Sequence, residues 1–132
     1  MQGEVLALLA ALLWGVAPIL DKFALKESSL YAANLLRLSG ALLVVSLLAP
    51  LDFRVSARAA VLLLVAGIIG GAVAMLLYYK ALSTSQVAKV VAITATYPMF
   101  TALFSAALGE ELGLRTVIGI IAIIIGVYLV ST

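Results

Sequence analysis

The chain has 132 residues, 66% of them apolar and 11% charged, with a net charge of +2. A soluble domain carries about 25% charged residues, and its helices need polar faces, so this composition excludes a water-soluble bundle; without a basic run, a nucleic-acid surface is excluded as well. The sequence has no Cys and no His, which removes disulfides, thiol chemistry and the commonest neutral-pH switch and metal ligand.

Five apolar stretches follow one another at residues 5–24, 30–49, 59–79, 87–108 and 114–130. A helix rises about 1.5 Å per residue, so ~20 residues cross a hydrocarbon core about 30 Å thick. The pattern predicts an all-α membrane protein with five transmembrane helices per chain, in a single domain over residues 1–132.

The first stretch opens with MQGEVLALLAALLWG. It lacks the basic start of a signal peptide and its apolar run is too long for one, so it reads as a retained span. Trp14 and Pro18 share one face, with Asp21 a turn further on. Trp14 is either a cavity-wall aromatic or a packing residue. Asp21 and Lys22 are adjacent, point in different directions, and are each expected to find a partner on another helix.

Ser28 or Ser29 is the expected N-cap of the second span. Arg37 lies seven residues into that span, about 10 Å below its start. It cannot lose its charge, so it must snorkel, pair or face water. It is either a handle for an anionic substrate or one half of a structural ion pair. Asn34, a turn earlier on the same face, suits both roles. Pro50 closes the span, and loop 51–58 carries Asp52, Arg54 and Arg58.

The third span holds Gly67, Gly70 and Gly71. Gly67 with Gly71, and Gly70 with Ala74, have the small-xxx-small spacing that lets helices approach closely in lipid. Tyr78, Tyr79 and Lys80 suit an interfacial position, with Tyr78 also a candidate for a cavity wall. Ser83, Thr84 and Ser85 are expected to form a tight turn.

In the fourth span Thr94, Tyr97, Thr101 and Ser105 recur on one helical face. Pro98 beside them removes a ladder hydrogen bond and frees the Thr94 carbonyl. The stripe either lines a substrate path or simply bonds back to its own helix. The fifth span carries Gly119 and Gly126 on one face, a candidate seam between subunits.

Five spans place the two ends of the repeat on opposite sides. One side receives Arg54, Arg58 and Arg115; the other receives Lys22, Lys26, Lys80 and Lys89, with Arg37 nearer to it. Orientation follows Lys/Arg imbalance. This near-tie favours neither orientation and predicts insertion both ways, the alternative being a weakly biased fixed orientation. No nucleophile–base set, HExxH or phosphate-cradling glycine loop is present, so an enzyme, a metal and an organic cofactor are not expected.

The segments LLAALLWGVAPILDKFAL, ANLLRLSGALLV, YYKALSTSQVAKVVAITATYPMFTALFSAALGEEL and GLRTVIGIIAIIIGVYLV carry a resemblance. In order and spacing the chain resembles one EamA-type repeat of the drug/metabolite transporter superfamily. Arg37, the Tyr78–Leu82 stretch, Pro98, Gly109-Glu110 and the Gly119/Gly126 spacing are its most specific features. Members are usually ten-span transporters built from two such repeats, and tandem five-span repeats are inverted with respect to each other.

The resemblance therefore implies a dimer in a prokaryotic plasma membrane, most simply an antiparallel homodimer, the alternatives being a heterodimer with a second short chain or a fragment of a longer protein. The dimer would export small neutral, zwitterionic or anionic metabolites by alternating access. The expected partners are a second copy of the chain, membrane lipid and a small-molecule substrate. Trp14, Asn34, Arg37, Tyr78, Thr94, Tyr97 and Thr101 are the expected cavity residues. Pro18, Gly67, Gly70, Gly71 and Pro98 are the flexing or packing elements, with Gly119 and Gly126 at the dimer seam. The chain is also similar to four-span small multidrug resistance transporters, but Trp14 occupies the place of their first-helix glutamate. That departure disfavours export of cationic compounds, which stays as an alternative beside a non-transporting accessory subunit.

Overall fold

The structure, a computed structural model, describes residues 2–51 and 53–131; Met1, Asp52 of the second loop and Thr132 lie outside it. The chain divides into two compact units, the first ending at Thr84 and the second starting at Ser85. Among the described residues the architecture is all helical.

The first unit contains α1 (Gln2–Ala24), α2 (Leu30–Leu48), a short 3-10 turn (Ala49–Leu51), α3 (Ala57–Ala66), a π-helical segment (Gly67–Ala74) and α4 (Met75–Thr84). The second contains α5 (Val87–Thr94), α6 (Tyr97–Ala107) and α7 (Leu114–Ser131). α3, the π segment and α4 run on as one helix, and α5 and α6 follow end to end along one span with a turn at residues 95–96 between them. Together with α1, α2 and α7 they make five helices long and apolar enough to cross a membrane: Gly3–Ala24, Leu30–Leu48, Ala57–Thr84, Val87–Ala107 and Leu114–Ser131. The chain is an integral, multi-pass membrane protein.

Local chemistry explains where these helices begin and stop. Ser29 is extended (φ −73°, ψ 155°) and its hydroxyl accepts from the Ala32 N–H at 3.2 Å. Ser56 caps α3 in the same way through the Ala59 N–H. Each satisfies a donor that a helix start leaves open. α6 ends on Gly109, whose φ of +90° is the left-handed turn glycine tolerates best. The Gly109 N–H donates to the Ala106 carbonyl and the Glu110 N–H to that of Ser105, both at 3.0 Å. This is a Schellman cap, and it gives the Gly109-Glu110 pair a structural reason.

Three features differ from the sequence reading. The third span continues through Thr84, with Ser83 and Thr84 inside the helix and their hydroxyls donating to the Lys80 carbonyl at 2.8 and 3.2 Å. Only Ser85 and Gln86 remain as the link. Pro98 does more than bend the fourth span: α5 stops at Thr94 and α6 restarts at Tyr97, because no N–H at 98 can reach back to the Thr94 carbonyl. The widened π turn over the glycine cluster has no counterpart in the sequence reading.

α1 and α2 both pack against α4, and α5 packs against α7. Few side chains are buried: Pro18, Tyr79, Leu82 and Val90 among the apolar ones and Asn34 among the polar ones. Most leucines, valines and isoleucines face outward. In lipid that exposure is favourable, since hydrocarbon solvates them as well as a protein core does.

Candidate functional site

Three polar side chains of the first unit meet near one end of its helices. Asp21 lies three residues before the end of α1, Arg37 seven after the start of α2, and Tyr79 five before the end of α4. At 1.5 Å per residue the cluster sits about 5–10 Å in from the helix ends. Lys26, beyond α1, lies 4.9 Å over the Phe23 ring at the same end.

Asp21 is the common acceptor. Its Oδ2 pairs with the Arg37 guanidinium. Its Oδ1 accepts from the Tyr79 hydroxyl at 3.0 Å. One carboxylate therefore ties α1 to both α2 and α4. The adjacent Lys22 turns the other way, and its ammonium donates to the Leu82 carbonyl in the last turn of α4. That carbonyl belongs to a helix end with open acceptors and partial negative charge, which suits a cation. Asp21 and Lys22 thus each find a partner on another helix, as expected from their adjacency.

Asn34, one turn before Arg37, is 5% exposed. Its amide nitrogen donates to the Gly71 carbonyl at 3.2 Å, inside the π segment. Its Oδ1 is buried with no hydrogen-bond partner among the described residues. A Cβ on Gly71 would meet the Leu38 side chain at 3.5 Å, an ordinary contact. Asn34 and Gly71 thus mark where α2 comes closest to the widened turn.

Burial separates the two tyrosines. Tyr79 is 1% exposed and carries the bond to Asp21. Tyr78 is half-buried, its ring 6.3 Å from that of Tyr79. Adjacent helical residues point about 100° apart, so only one could face α1. Asp21 and Tyr79 are the members of the cluster that sequence reasoning left out of its site. The one available signal was a carboxylate in an apolar helix, which must find a donor.

The other candidates fall elsewhere. Trp14 is exposed on α1 and Pro18 is buried. In the second unit the Thr94 hydroxyl donates to the Val90 carbonyl at 2.5 Å and the Thr101 hydroxyl to that of Tyr97 at 3.2 Å. Both therefore return to their own helix, while the Tyr97 ring is exposed. Beyond chain neighbours and the helix's own backbone, no atom of the described residues lies within 4 Å of a Cβ placed on Gly67, Gly70, Gly119 or Gly126. Two shallow apolar grooves, one lined by Leu30, Tyr31, Val73, Leu76 and Leu77 and one around Phe53 and Leu64, contain none of the cluster residues.

Five lipid-compatible helices, with an ion pair between two of them braced by a tyrosine from a third, describe a membrane protein with charge kept inside its spans. The family model of the EamA-like transporter family matches residues 1–132. The chain belongs to the EamA-like transporter family. Its five spans are one EamA-type domain of the drug/metabolite transporter superfamily, and the protein is a membrane transporter. No curated protein and no solved structure matches the chain. In this EamA-like domain the Asp21–Arg37–Tyr79 cluster joins three spans of the first unit.

Proposed function

We propose that this EamA-like protein exports a small neutral, zwitterionic or anionic metabolite by alternating access, as an antiparallel homodimer in a prokaryotic plasma membrane. Arg37 carries the reading. A permanent cation set about 10 Å into a span is costly unless it is paired or used, and its partner here is a carboxylate that a ligand's own anionic group can replace. The same pairing argues against export of cations, because Arg37 already neutralises Asp21.

The homodimer rests on different support. One five-span repeat turned over onto a second copy makes the inverted pair on which alternating access depends. The near-tied distribution of Lys and Arg favours insertion in both orientations. Arg37 and Asn34 on α2 are the residues expected to meet substrate in the first unit, with Tyr78 beside them.

Two measurements test this. Reporter fusions at the C-terminus should be active on both sides of the membrane; a single orientation overturns the antiparallel homodimer. Purified protein in liposomes should give saturable, substrate-specific flux at rates far below those of a channel. Unsaturable flux, or none, overturns the transport mechanism.

A further inference from the structure

We infer that Tyr78 is a second, alternating partner of Asp21, reached when the π segment Gly67–Ala74 closes to α geometry and turns α4 by one residue. The inference concerns two arrangements of one subunit and goes beyond the transport reading.

The segment is the irregular part of an otherwise continuous α-helical span. A turn closed by i→i+5 bonds holds about one residue more than an α turn. Closing the segment to α geometry therefore rotates α4 about its own axis by roughly one residue's step, about 100°. The place of each α4 residue is then taken by the residue before it. Tyr79 leaves Asp21, and Tyr78, whose ring lies 6.3 Å from that of Tyr79, moves in. Both side chains carry the same donor, so Asp21 Oδ1 has a hydroxyl to accept from in either register.

The other polar contacts of this helix survive the same step. Asn34 donates to the Gly71 carbonyl, and Gly70 stands before Gly71 as Tyr78 stands before Tyr79. A Cβ on Gly70 would meet nothing within 4 Å beyond chain neighbours and its own helix backbone, and one on Gly71 only Leu38 at 3.5 Å, so no bulk at these two positions resists the turn. Asn34 restrains the wide turn through its amide nitrogen alone, its buried Oδ1 having no partner among the described residues. Lys22 is held by a backbone carbonyl, that of Leu82, and the Ala81 carbonyl serves as well because it carries no side-chain identity. Packing is what sets the two registers apart. Leu82 is fully buried and Ala81 exposed; an alanine in the leucine's place leaves a void. The π register is therefore the resting one and the α register the minor one.

The test reads distances within the full chain in lipid nanodiscs by double electron–electron resonance. The chain has no Cys, so nitroxides attach only at Leu36→Cys and Leu77→Cys, both at exposed positions. Labelled chain is diluted with unlabelled chain, which leaves only distances within one copy. The labelled protein should give one dominant distance and a minor one offset by several ångströms. Tyr79→Phe removes the resting donor and should raise the minor population about threefold, the factor that an average hydrogen bond within a membrane protein represents. Tyr78→Phe should lower it by a similar factor, and the double variant should return it to the starting level. Asn34→Leu, which frees the wide turn without touching either tyrosine, should raise it too. Deleting Gly70 lets the segment close as α-helix with Tyr79 still on Asp21, and should leave a single distance in every background. A single distance in both Tyr79→Phe and Asn34→Leu, or a second population that Tyr78→Phe does not reduce, overturns the inference. Should Tyr79→Phe fail to fold, Asn34→Leu with and without Tyr78→Phe decides it. None of these readouts depends on flux, so the transport reading stands or falls by its own measurements.

Discussion

The Tyr79 hydroxyl on α4 donates to Asp21 Oδ1 on α1 at 3.0 Å, from a ring that is 1% exposed. This bond leaves Asp21 Oδ2 for Arg37 and so lets one carboxylate join three helices. Tyr79→Phe keeps the ring and deletes only the donor. Hydrogen bonds inside membrane proteins average about 0.6 kcal/mol and reach ~1.7, and the charged acceptor places this one near the upper end. The expected loss is about 1–2 kcal/mol, read from unfolding in mixed micelles. Tyr78→Phe, whose ring only flanks Tyr79, should leave stability unchanged.

Arg37 and Asp21 should respond unequally to truncation. Without Asp21, Arg37 can extend along its stem towards the nearby helix ends and find water. Without Arg37, the short Asp21 side chain keeps its charge within the span with Tyr79 as its remaining partner. Arg37→Ala is therefore expected to destabilise more than Asp21→Ala. The double variant should be less damaging than the sum of the singles, with a coupling of about 1–3 kcal/mol. A double-mutant cycle on unfolding free energy measures it, and strict additivity would show the pair to be energetically idle.

The glycines separate into two groups. A methyl on Gly71 meets Leu38 at 3.5 Å, so Gly71→Ala should be tolerated. Gly71→Leu should push α2 away from the π segment and cost about 1–3 kcal/mol, as overpacking does. A Cβ on Gly119 or Gly126 meets no described atom within 4 Å beyond its own helix backbone and chain neighbours. Gly119→Leu and Gly126→Leu should leave unfolding of the subunit within about 0.5 kcal/mol while reducing cross-linking between copies, if α7 forms the dimer seam. Unchanged cross-linking would move the seam off that face.

Pro98 should be the cause of the break in the fourth span. Around it the Thr96 N–H donates to the Ile93 carbonyl at 3.1 Å and the Met99 N–H to that of Thr96 at 2.9 Å, the tightened pattern of an interrupted helix. Pro98→Ala restores a donor for the Thr94 carbonyl. It should merge α5 and α6, slow amide exchange at residues 95–99, and stabilise the helix by about 1–3 kcal/mol. If transport needs the break to flex, flux falls while stability rises. Exchange rates unchanged from wild type would place the cause elsewhere.

The parts of this protein that depend on neighbours along the chain were legible. Five runs of apolar residues appear as five helices within a few residues of the expected ends, and Ser29 caps α2 as its hydroxyl predicts. The family resemblance was legible for the same reason, since it lies in the order and spacing of local features. The π segment was not, because a glycine cluster permits a wider turn without requiring one. Its carbonyl at Gly71 is met by Asn34, thirty-seven positions earlier. Which of Tyr78 and Tyr79 turns inward was not legible either, because nothing local separates the two.

The sequence alone determined that the chain lives in lipid, crosses it five times and works without thiol or imidazole chemistry, since length, hydropathy and residue inventory suffice for that. Tertiary structure decided which polar groups meet: Asp21 with Arg37 and Tyr79, Lys22 with the end of α4, Asn34 with Gly71. In water an apolar stripe shows which way a helix faces. In a membrane nearly every face is apolar, so rotation and depth are set by a few polar contacts that only the assembled helices create.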